Sequence, residues 1–421
     1  MKVHFVTFGC KANQYDTERF RQELAARGAV VVEDPEQADA CVVNTCTVTN
    51  NADAEARRAI RRLKRRNPQV EILVAGCSAA LRADEYARMG EVFGVVKGHD
   101  PLEVVEELGP LLPSLDVHEE PIGAALLERN ARGTRAWMKI QDGCDRRCAF
   151  CATKLARGRS RSREESELIQ EARRLAAHHP EIVLTGVHIG HYGWDRNPRG
   201  SKPHTLSKFV RLLLDEVPEV RFRLGSVEAT EVDDLMVELL ERSDGRLVPH
   251  LHVPMQSGAD PVLRRMRRWH TREQYRSRML SIADRLGVFG FGADIITGFP
   301  GESDEDHAVT RALVEELPLT YVHVFPFSVR DGTPAASMPD RVPGNVAAER
   351  SRELREIVAQ KGLIYRASRS GQLAEVVIED HEWGLTEDYL RVRLAGAAKE
   401  RAGQRVSVPL RWTSNELVAH V

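Results

Sequence analysis

The sequence predicts an α/β protein in three parts: an N-terminal parallel α/β domain over residues 1–100, a central partial barrel of six βα units over 134–366, and a small antiparallel β-barrel over 367–421. Three observations carry this. Strand-like and helix-like stretches alternate up to residue 366, the pattern of parallel sheets built from crossover units. A stretch holding Pro110, Pro113 and Pro121 interrupts the alternation once, so 101–133 reads as a linker. After residue 366 the helices disappear and short alternating strands remain, as in small β-barrels.

In the first part, residues 3–8 (VHFVTF) are β-branched and aromatic and read as a strand ending at Gly9-Cys10. Residues 16–27 read as a helix, with Phe20 and Leu24 on one face and Gly28 as its stop. A second strand spans 40–44, an Arg-rich helix 52–66, and a third strand 71–75. Ligands of parallel sheets bind beyond the carboxyl ends of the strands, and Cys10, Cys46 and Cys77 each fall just past one. They read as a three-thiolate site. The alternative is three small residues packed in turns, since free cysteine behaves as a small hydrophobe. Cys41 lies inside its strand and reads as core.

In the second part, strands are expected at 136–140, 182–185, 220–224, 248–253, 291–296 and 321–325. Helices are expected at 164–177, 206–216, 232–242, 260–286 (broken near His270) and 304–316. The active site of such a barrel lies at the C-terminal ends of its strands. The first of those ends carries QDGCDRRCAFCATKLARGRSRSR (141–163), where Cys144, Cys148 and Cys151 stand in C-x3-C-x2-C spacing. Three thiolates can hold a four-iron cluster with one iron left open, whereas structural zinc wants four protein ligands. A helix over 346–365 then leads to strands at 373–379, 389–394, 405–411 and 416–421.

Net charge is −2, with 42% hydrophobic and 29% charged residues, so the chain has no global basic signal. The distribution is uneven: 57–66 holds seven basic residues, 264–278 holds seven arginines, and Arg157, Arg159, Arg161 and Arg163 follow the cysteine loop. Solvated helix faces and phosphate contacts are the competing readings. No stretch approaches the roughly 18 apolar residues of a membrane span. The first residues lack the apolar core of a signal peptide, so a cytoplasmic protein without membrane contact is expected. Seven cysteines, an odd number in a reducing compartment, point to metal binding or catalysis rather than disulfides.

The cysteine loop, with Phe150 before its last thiol, resembles the radical S-adenosylmethionine (SAM) superfamily. GCKANQYDTE, VVNTCTVTN and VAGCSA, around Cys10, Cys46 and Cys77, narrow the resemblance to its methylthiotransferases. The likeness continues through LTGVHIGHYG (184–193), RLGSVEATEV (223–232), HLHVPMQSGADPVLRRMRR (250–268), DIITGFPGESDED (294–306) and HVFPFSVRDGTPAASM (323–338). The last strands resemble that family's RNA-binding TRAM barrel. The segments GCKANQ, VVNTCTVTN and TGVHIGHYG are most similar to the branch that methylthiolates C2 of N6-threonylcarbamoyladenosine beside the tRNA anticodon. Sister branches act on N6-isopentenyladenosine or on a ribosomal protein aspartate. Residues 152–155 (ATKL) depart from the apolar-Pro pattern usual after the last thiol.

The resemblance implies two [4Fe–4S] clusters, one on Cys144, Cys148 and Cys151 that binds SAM and an auxiliary one on Cys10, Cys46 and Cys77, with no catalytic residue beyond these ligands. SAM is expected against Phe150, Thr185, Gly186, Ser226, Glu228, Gln256, Ile296, Thr297 and Gly298. Arg157, Arg159, Arg161 and Arg163 are expected on the anticodon-loop RNA, and an electron donor such as flavodoxin or ferredoxin is implied. Removing 367–421 is expected to weaken tRNA binding and spare SAM cleavage. A rival from another class is a non-enzymatic zinc- and RNA-binding module, its trios completed by His188, His191 or His250.

Overall fold

The computed structural model describes residues 1–48, 50–112, 126–130, 133–196, 205–396 and 401–421; Pro113, Pro121 and Arg132 of the expected linker lie outside them. The N-terminal sheet is parallel throughout, in the order Val30–Val31, Lys2–Thr7, Ala40–Thr45, Glu71–Gly76, Gly94–Val95. Its middle strand is buried at every position, which suits the apolar run around Cys41. Cys41 packs with Val43, Ile60 and Leu63, as expected of a core thiol. The opposite face holds Phe20 and Leu24 of the helix Lys11–Ala26, together with Val104 and Leu108 of the helix Pro101–Leu108. That last helix corrects the linker boundary. Its apolar face completes the N-terminal core, so residues 101–108 belong to the first domain.

The central domain has its six parallel strands where expected: Ala136–Asp142, Glu181–Gly186, Arg221–Leu224, His250–His252, Gly290–Thr297 and Tyr321–Pro326. They form two hydrogen-bonded groups joined by single bridges, Phe222 to Leu247 and Ser226 to His252, around one contiguous apolar core. In this domain one strand escaped the sequence reading, as did the two-residue edge strands Val30–Val31 and Gly94–Val95 of the N-terminal sheet. Arg161–Ser162, within the basic run, pairs antiparallel with Gln141 and Asp142 at the sheet edge. The expected helix break is real: Asp260–Arg265 stops, Arg267 takes a positive φ of 57°, and Thr271 caps Arg272–Arg285 in a reciprocal box with Gln274.

After the helix Gly344–Ser368, five strands close into a barrel, ordered Leu373–Ile378, Trp383–Leu385, Arg391–Ala395, Glu416–His420, Arg405–Thr413. The expectation of a purely antiparallel barrel needs correction, because Arg391–Ala395 pairs parallel with Glu416–His420. Ser414 and Asn415, at φ 51° and 67°, form a tight hairpin that returns the last strand alongside Arg391–Ala395 in the same direction. The three-residue strand Trp383–Leu385 was too short to show a period.

The barrel is locked to the central domain. Arg221 donates to the Glu375 carbonyl at 2.8 Å, and Arg223 donates to the carbonyls of Thr386 and Glu387 at 3.0 and 2.9 Å. Both guanidinium groups are held by Glu181 at 2.7 Å. Burial alone would raise the Glu181 pKa, but Arg223 and Arg221 outweigh it and hold the carboxyl well below its usual range.

Candidate active site

A cavity of about 520 Å³ lies where the C-terminal ends of the barrel strands face the N-terminal domain. Cys10, Lys11 and Cys46 line it from one side, Thr185, Gly186 and Ser226 from another, and Tyr389 of the small barrel closes it. A smaller adjoining cavity of about 130 Å³ is lined by Phe150, Gln256 and Ile296 among others.

The first cysteine trio sits on the loop after Ala136–Asp142. Gly143, at φ +70°, makes the turn in space too tight for a Cβ, because the Arg159 carbonyl lies against it. The loop closes through Cys144 N–H to the Gly158 carbonyl at 3.1 Å. Each sulfur has a polar neighbour: Arg268 donates to Cys148 at 3.6 Å, Thr153 N–H to Cys151 at 3.4 Å, and His188 Nδ1 lies 3.7 Å from Cys144. A single turn backs two of these contacts, with Glu228 pairing Arg268 and Glu231 Oε1 standing 2.8 Å from His188 Nε2.

The second trio comes from three adjacent strand ends, as the spacing in sequence implied. Cys10 precedes Lys11–Ala26, Cys46 follows Ala40–Thr45, and Cys77 opens the helix Cys77–Leu81. A Cβ on Gly9 would stand 2.7 Å from the Cβ and Sγ of Cys46, so only glycine lets Cys10 approach its neighbour. Val48 N–H donates to Cys46 Sγ at 3.4 Å and Arg157 Nε to Cys77 Sγ at 3.3 Å.

Both donor sets fit iron–sulfur clusters: three sulfurs each, from one loop or one sheet edge, with N–H donors turned on the sulfurs. As thiolates without a metal, four of the six are disfavoured. Burial pushes Cys144 and Cys77 up to about 12 and raises Cys46 and Cys148 as well, whereas metal ligation removes the proton outright.

The basic run divides by depth. The Arg157 side chain is 1% exposed and that of Arg159 is 89% exposed. Arg157 reaches Asp16 at 2.8 Å, Asn13 at 2.7 Å and Asp142 at 3.0 and 3.1 Å, besides Cys77, which ties the two cysteine-bearing domains together. Arg163 pairs with Glu171 at 2.8 Å and donates to the Tyr15 hydroxyl at 2.9 Å. The expectation that Arg157 and Arg163 hold phosphates is therefore corrected: the buried Arg157 must satisfy its N–H groups inside the protein, and the part-buried Arg163 is engaged by Glu171 and Tyr15. Arg159 and Arg161 remain exposed.

The expected SAM contacts divide too. Thr185, Gly186 and Ser226 face the large cavity, and Phe150, Gln256 and Ile296 the small one. Gly186 is confined by the Gln141 carbonyl, 2.6 Å from where its Cβ would be. Three expectations are corrected. Glu228 is engaged by Arg268. Thr297 Oγ1 turns to the Ala347 carbonyl at 3.0 Å and the Ser351 hydroxyl at 2.6 Å, and Gly298 packs on Ala347, so both anchor the helix Gly344–Ser368.

Sequence reading missed the polar wall of the large cavity. His252 Nε2 and His323 Nδ1 both lie 3.1 Å from Asp294 Oδ1, and the Tyr321 hydroxyl sits 3.2 Å from His252 Nδ1. Burial would raise Asp294, but hydrogen bonds from His252 and His323 hold it well below the usual carboxylate range. An acid inside the apolar strand GFGADIIT was the available signal. Lys11 was also missed. Burial, with Arg135 and Arg223 nearby, pushes its pKa down to about 8. Of the histidines offered for zinc, His191 turns to Glu231 at 3.2 Å and His250 to the Tyr321 hydroxyl at 2.8 Å, so neither completes a cysteine trio.

Two family profiles match the chain: the uncharacterized protein family UPF0004 over residues 2–98 and the radical SAM superfamily over residues 138–314. The threonylcarbamoyladenosine tRNA methylthiotransferase MtaB of Bacillus subtilis is 36% identical, over 97% of this chain and 93% of the relative. MtaB of Aquifex aeolicus is 33% identical, over 94% and 97%. The tRNA-2-methylthio-N(6)-dimethylallyladenosine synthase of Anoxybacillus flavithermus is 31% identical, over 98% and 82%. Among solved structures, the radical SAM methyltransferase TsrM from Kitasatospora setae, with cobalamin and a [4Fe-4S] cluster bound, shares the fold at TM-score 0.58 and 15% identity, over 80% of this chain and 77% of that one.

Proposed function

The chain belongs to the radical SAM methylthiotransferase family, and on that premise we propose that it adds a methylthio group to C2 of N6-threonylcarbamoyladenosine beside the tRNA anticodon. It is an enzyme, with SAM and two [4Fe–4S] clusters as its cofactors. The non-enzymatic zinc reading falls with that membership. The observation that carries the substrate reading is convergence: cysteines from the N-terminal domain and SAM-side residues from the barrel line one cavity of about 520 Å³, a size suited to a single flipped-out nucleoside.

In this reading Cys144, Cys148 and Cys151 hold the cluster that binds SAM, and Cys10, Cys46 and Cys77 hold the auxiliary one. When bound, these groups supply a 5′-deoxyadenosyl radical and a methylated sulfur, chemistry that no side chain offers. The chain supplies position. Phe150, Gln256 and Ile296 form a slot for SAM beside the first trio, and Gly186 and Ser226 let backbone approach it. Arg157 holds the two domains, and so the two trios, at a set separation. Tyr389 and Tyr321 offer rings against which an unstacked base can lie.

The RNA runs across Arg159 and Arg161, the exposed helix face Arg58, Arg61, Arg62 and Arg65, and the outer arginines Arg391, Arg393, Arg405 and Arg411 of the small barrel. A flavodoxin or ferredoxin delivers the electron. A cytoplasmic site of action goes with the tRNA substrate of this reading. No helix of the described residues is long and apolar enough to cross a membrane.

Mass spectrometry of nucleosides from a deletion strain tests this. The 2-methylthio derivative of N6-threonylcarbamoyladenosine should vanish and its parent accumulate. Loss of the dimethylallyladenosine derivative instead, or no change in either, would overturn the reading.

A further inference from the structure

Lys11 is the one Lys or Arg among the described residues that line the large cavity. It lines that cavity next to Cys10, and among the described residues its ammonium makes no hydrogen bond or ion pair. It stands between two aromatic rings, 5.7 Å from the centre of Trp137 and 5.6 Å from that of Tyr389. The same rings carry more positive charge: Arg135 lies 5.4 Å from the centre of Trp137 and Arg223 lies 5.3 Å from that of Tyr389. Glu181 and Glu379 are the carboxylates of this wall, and they pair with Arg135, Arg221 and Arg223. Four cations thus meet two carboxylates, and the cation left facing the cavity is Lys11.

A half-buried ammonium without a partner is unfavourable until an anion arrives. The substrates named for the two kinds of relative differ in charge, besides the urea and hydroxyl of the first. A threonylcarbamoyl group ends in a free carboxylate, whereas a dimethylallyl group is wholly apolar. We propose that Lys11 is the specificity residue of this site, binding the threonyl carboxylate of the N6 substituent between Trp137 and Tyr389 and disfavouring adenosines whose N6 group carries no anion. The proposal rests on the substrate reading above and adds the atom that makes the choice. The C-terminal barrel enters the same selection through Tyr389, whose φ of 70° is a strained conformation for a tyrosine, held so that its ring closes the pocket.

The test uses the full-length, cluster-loaded protein and three anticodon stem–loop RNAs. One carries N6-threonylcarbamoyladenosine, one the same nucleoside with its carboxylate converted to the methylamide, and one N6-dimethylallyladenosine. Binding is read by fluorescence anisotropy, product by nucleoside mass spectrometry, and iron content is measured for every variant. Wild type should bind the acid about ten- to a hundredfold more tightly than the amide, the span of one charge-assisted hydrogen bond. Lys11→Met should bind acid and amide alike, losing affinity for the acid alone, and Lys11→Arg should keep part of the preference. Equal wild-type binding of acid and amide, or a preference that survives Lys11→Met, overturns the proposal. If Lys11→Met loses iron, the wild-type acid–amide comparison and Lys11→Arg decide the matter. Methylthiolation of the dimethylallyl RNA in place of the threonylcarbamoyl RNA would overturn the functional reading itself. Activity on the threonylcarbamoyl RNA with indifference to the amide would overturn only the role of Lys11.

Discussion

Gly290 and Asp388 meet backbone to backbone. A Cβ on Gly290 would overlap the Asp388 carbonyl, so the barrel strand Gly290–Thr297 and the turn that carries Tyr389 touch with no side chain between them. The C-terminal barrel is therefore a wall of the cavity, through Tyr389.

Gly290→Val should push that turn outwards. Overpacking of this kind costs about 1–3 kcal/mol. Melting temperature should fall, and methylthio product should fall further than SAM cleavage, because Tyr389 leaves the nucleoside pocket while the first cysteine trio is untouched. An unchanged melting temperature would show that the contact is not close. For the same reason the expectation that residues 367–421 can be removed cleanly is revised: Arg221 and Arg223 would lose their carbonyl partners, and the truncated protein should be unstable.

The two cysteine trios should separate in function. Replacing Cys144, Cys148 and Cys151 by Ala should abolish reductive SAM cleavage. Replacing Cys10, Cys46 and Cys77 should leave 5′-deoxyadenosine formation and remove methylthio transfer. Iron should drop from about eight to about four per chain in either case. Cys41→Ala should change little beyond about 1 kcal/mol of packing. Methylthio product from the Cys10/Cys46/Cys77 variant would defeat the assignment.

Arg157 and Arg159 should behave oppositely although only two residues apart. Arg157→Leu leaves Lys139 as the remaining cation on Asp16 and Asp142 and removes the donor on Cys77, and should destabilise by about 1–3 kcal/mol, with loss of iron from the second trio. Arg159→Ala should leave the melting temperature alone and weaken tRNA binding, lowering the salt slope by about one counterion. Calorimetry and binding titrations at several salt concentrations distinguish the two, and equal losses of stability would refute the division by depth.

Glu181 should tie stability to acid pH. Its folded-state pKa lies below its ordinary 4.5, so its contribution is complete above pH 4.5 and is lost as pH falls towards the folded value. Glu181→Gln should destabilise by about 3–5 kcal/mol at neutral pH, because Arg221 and Arg223 lose their shared carboxylate. The gap between wild type and variant should narrow below pH 4.5, measured by denaturant midpoint, and a gap that widens there would contradict this account.

The sequence by itself determined the order of the elements, the six barrel strands and both cysteine trios. Each of these is a local signal: a hydrophobic period, a turn residue, a spacing of thiols along one loop, or a cysteine just past a strand end. What only tertiary structure decided is which polar groups meet across distant segments. Nothing in RGRSRSR tells Arg157 from Arg159. The difference arises because Asp16, Asn13 and Asp142 converge on one of them and water on the other. Glu228 and Thr297 stood in the right motifs, yet Arg268 and the helix Gly344–Ser368 claim their oxygen atoms. Lys11 was legible as a residue beside a cysteine. That its charge is left without a partner depends on Trp137, Tyr389, Arg135 and Arg223, contributed by two other domains. Pairing of buried charge is a property of the folded neighbourhood, and no window of sequence contains it.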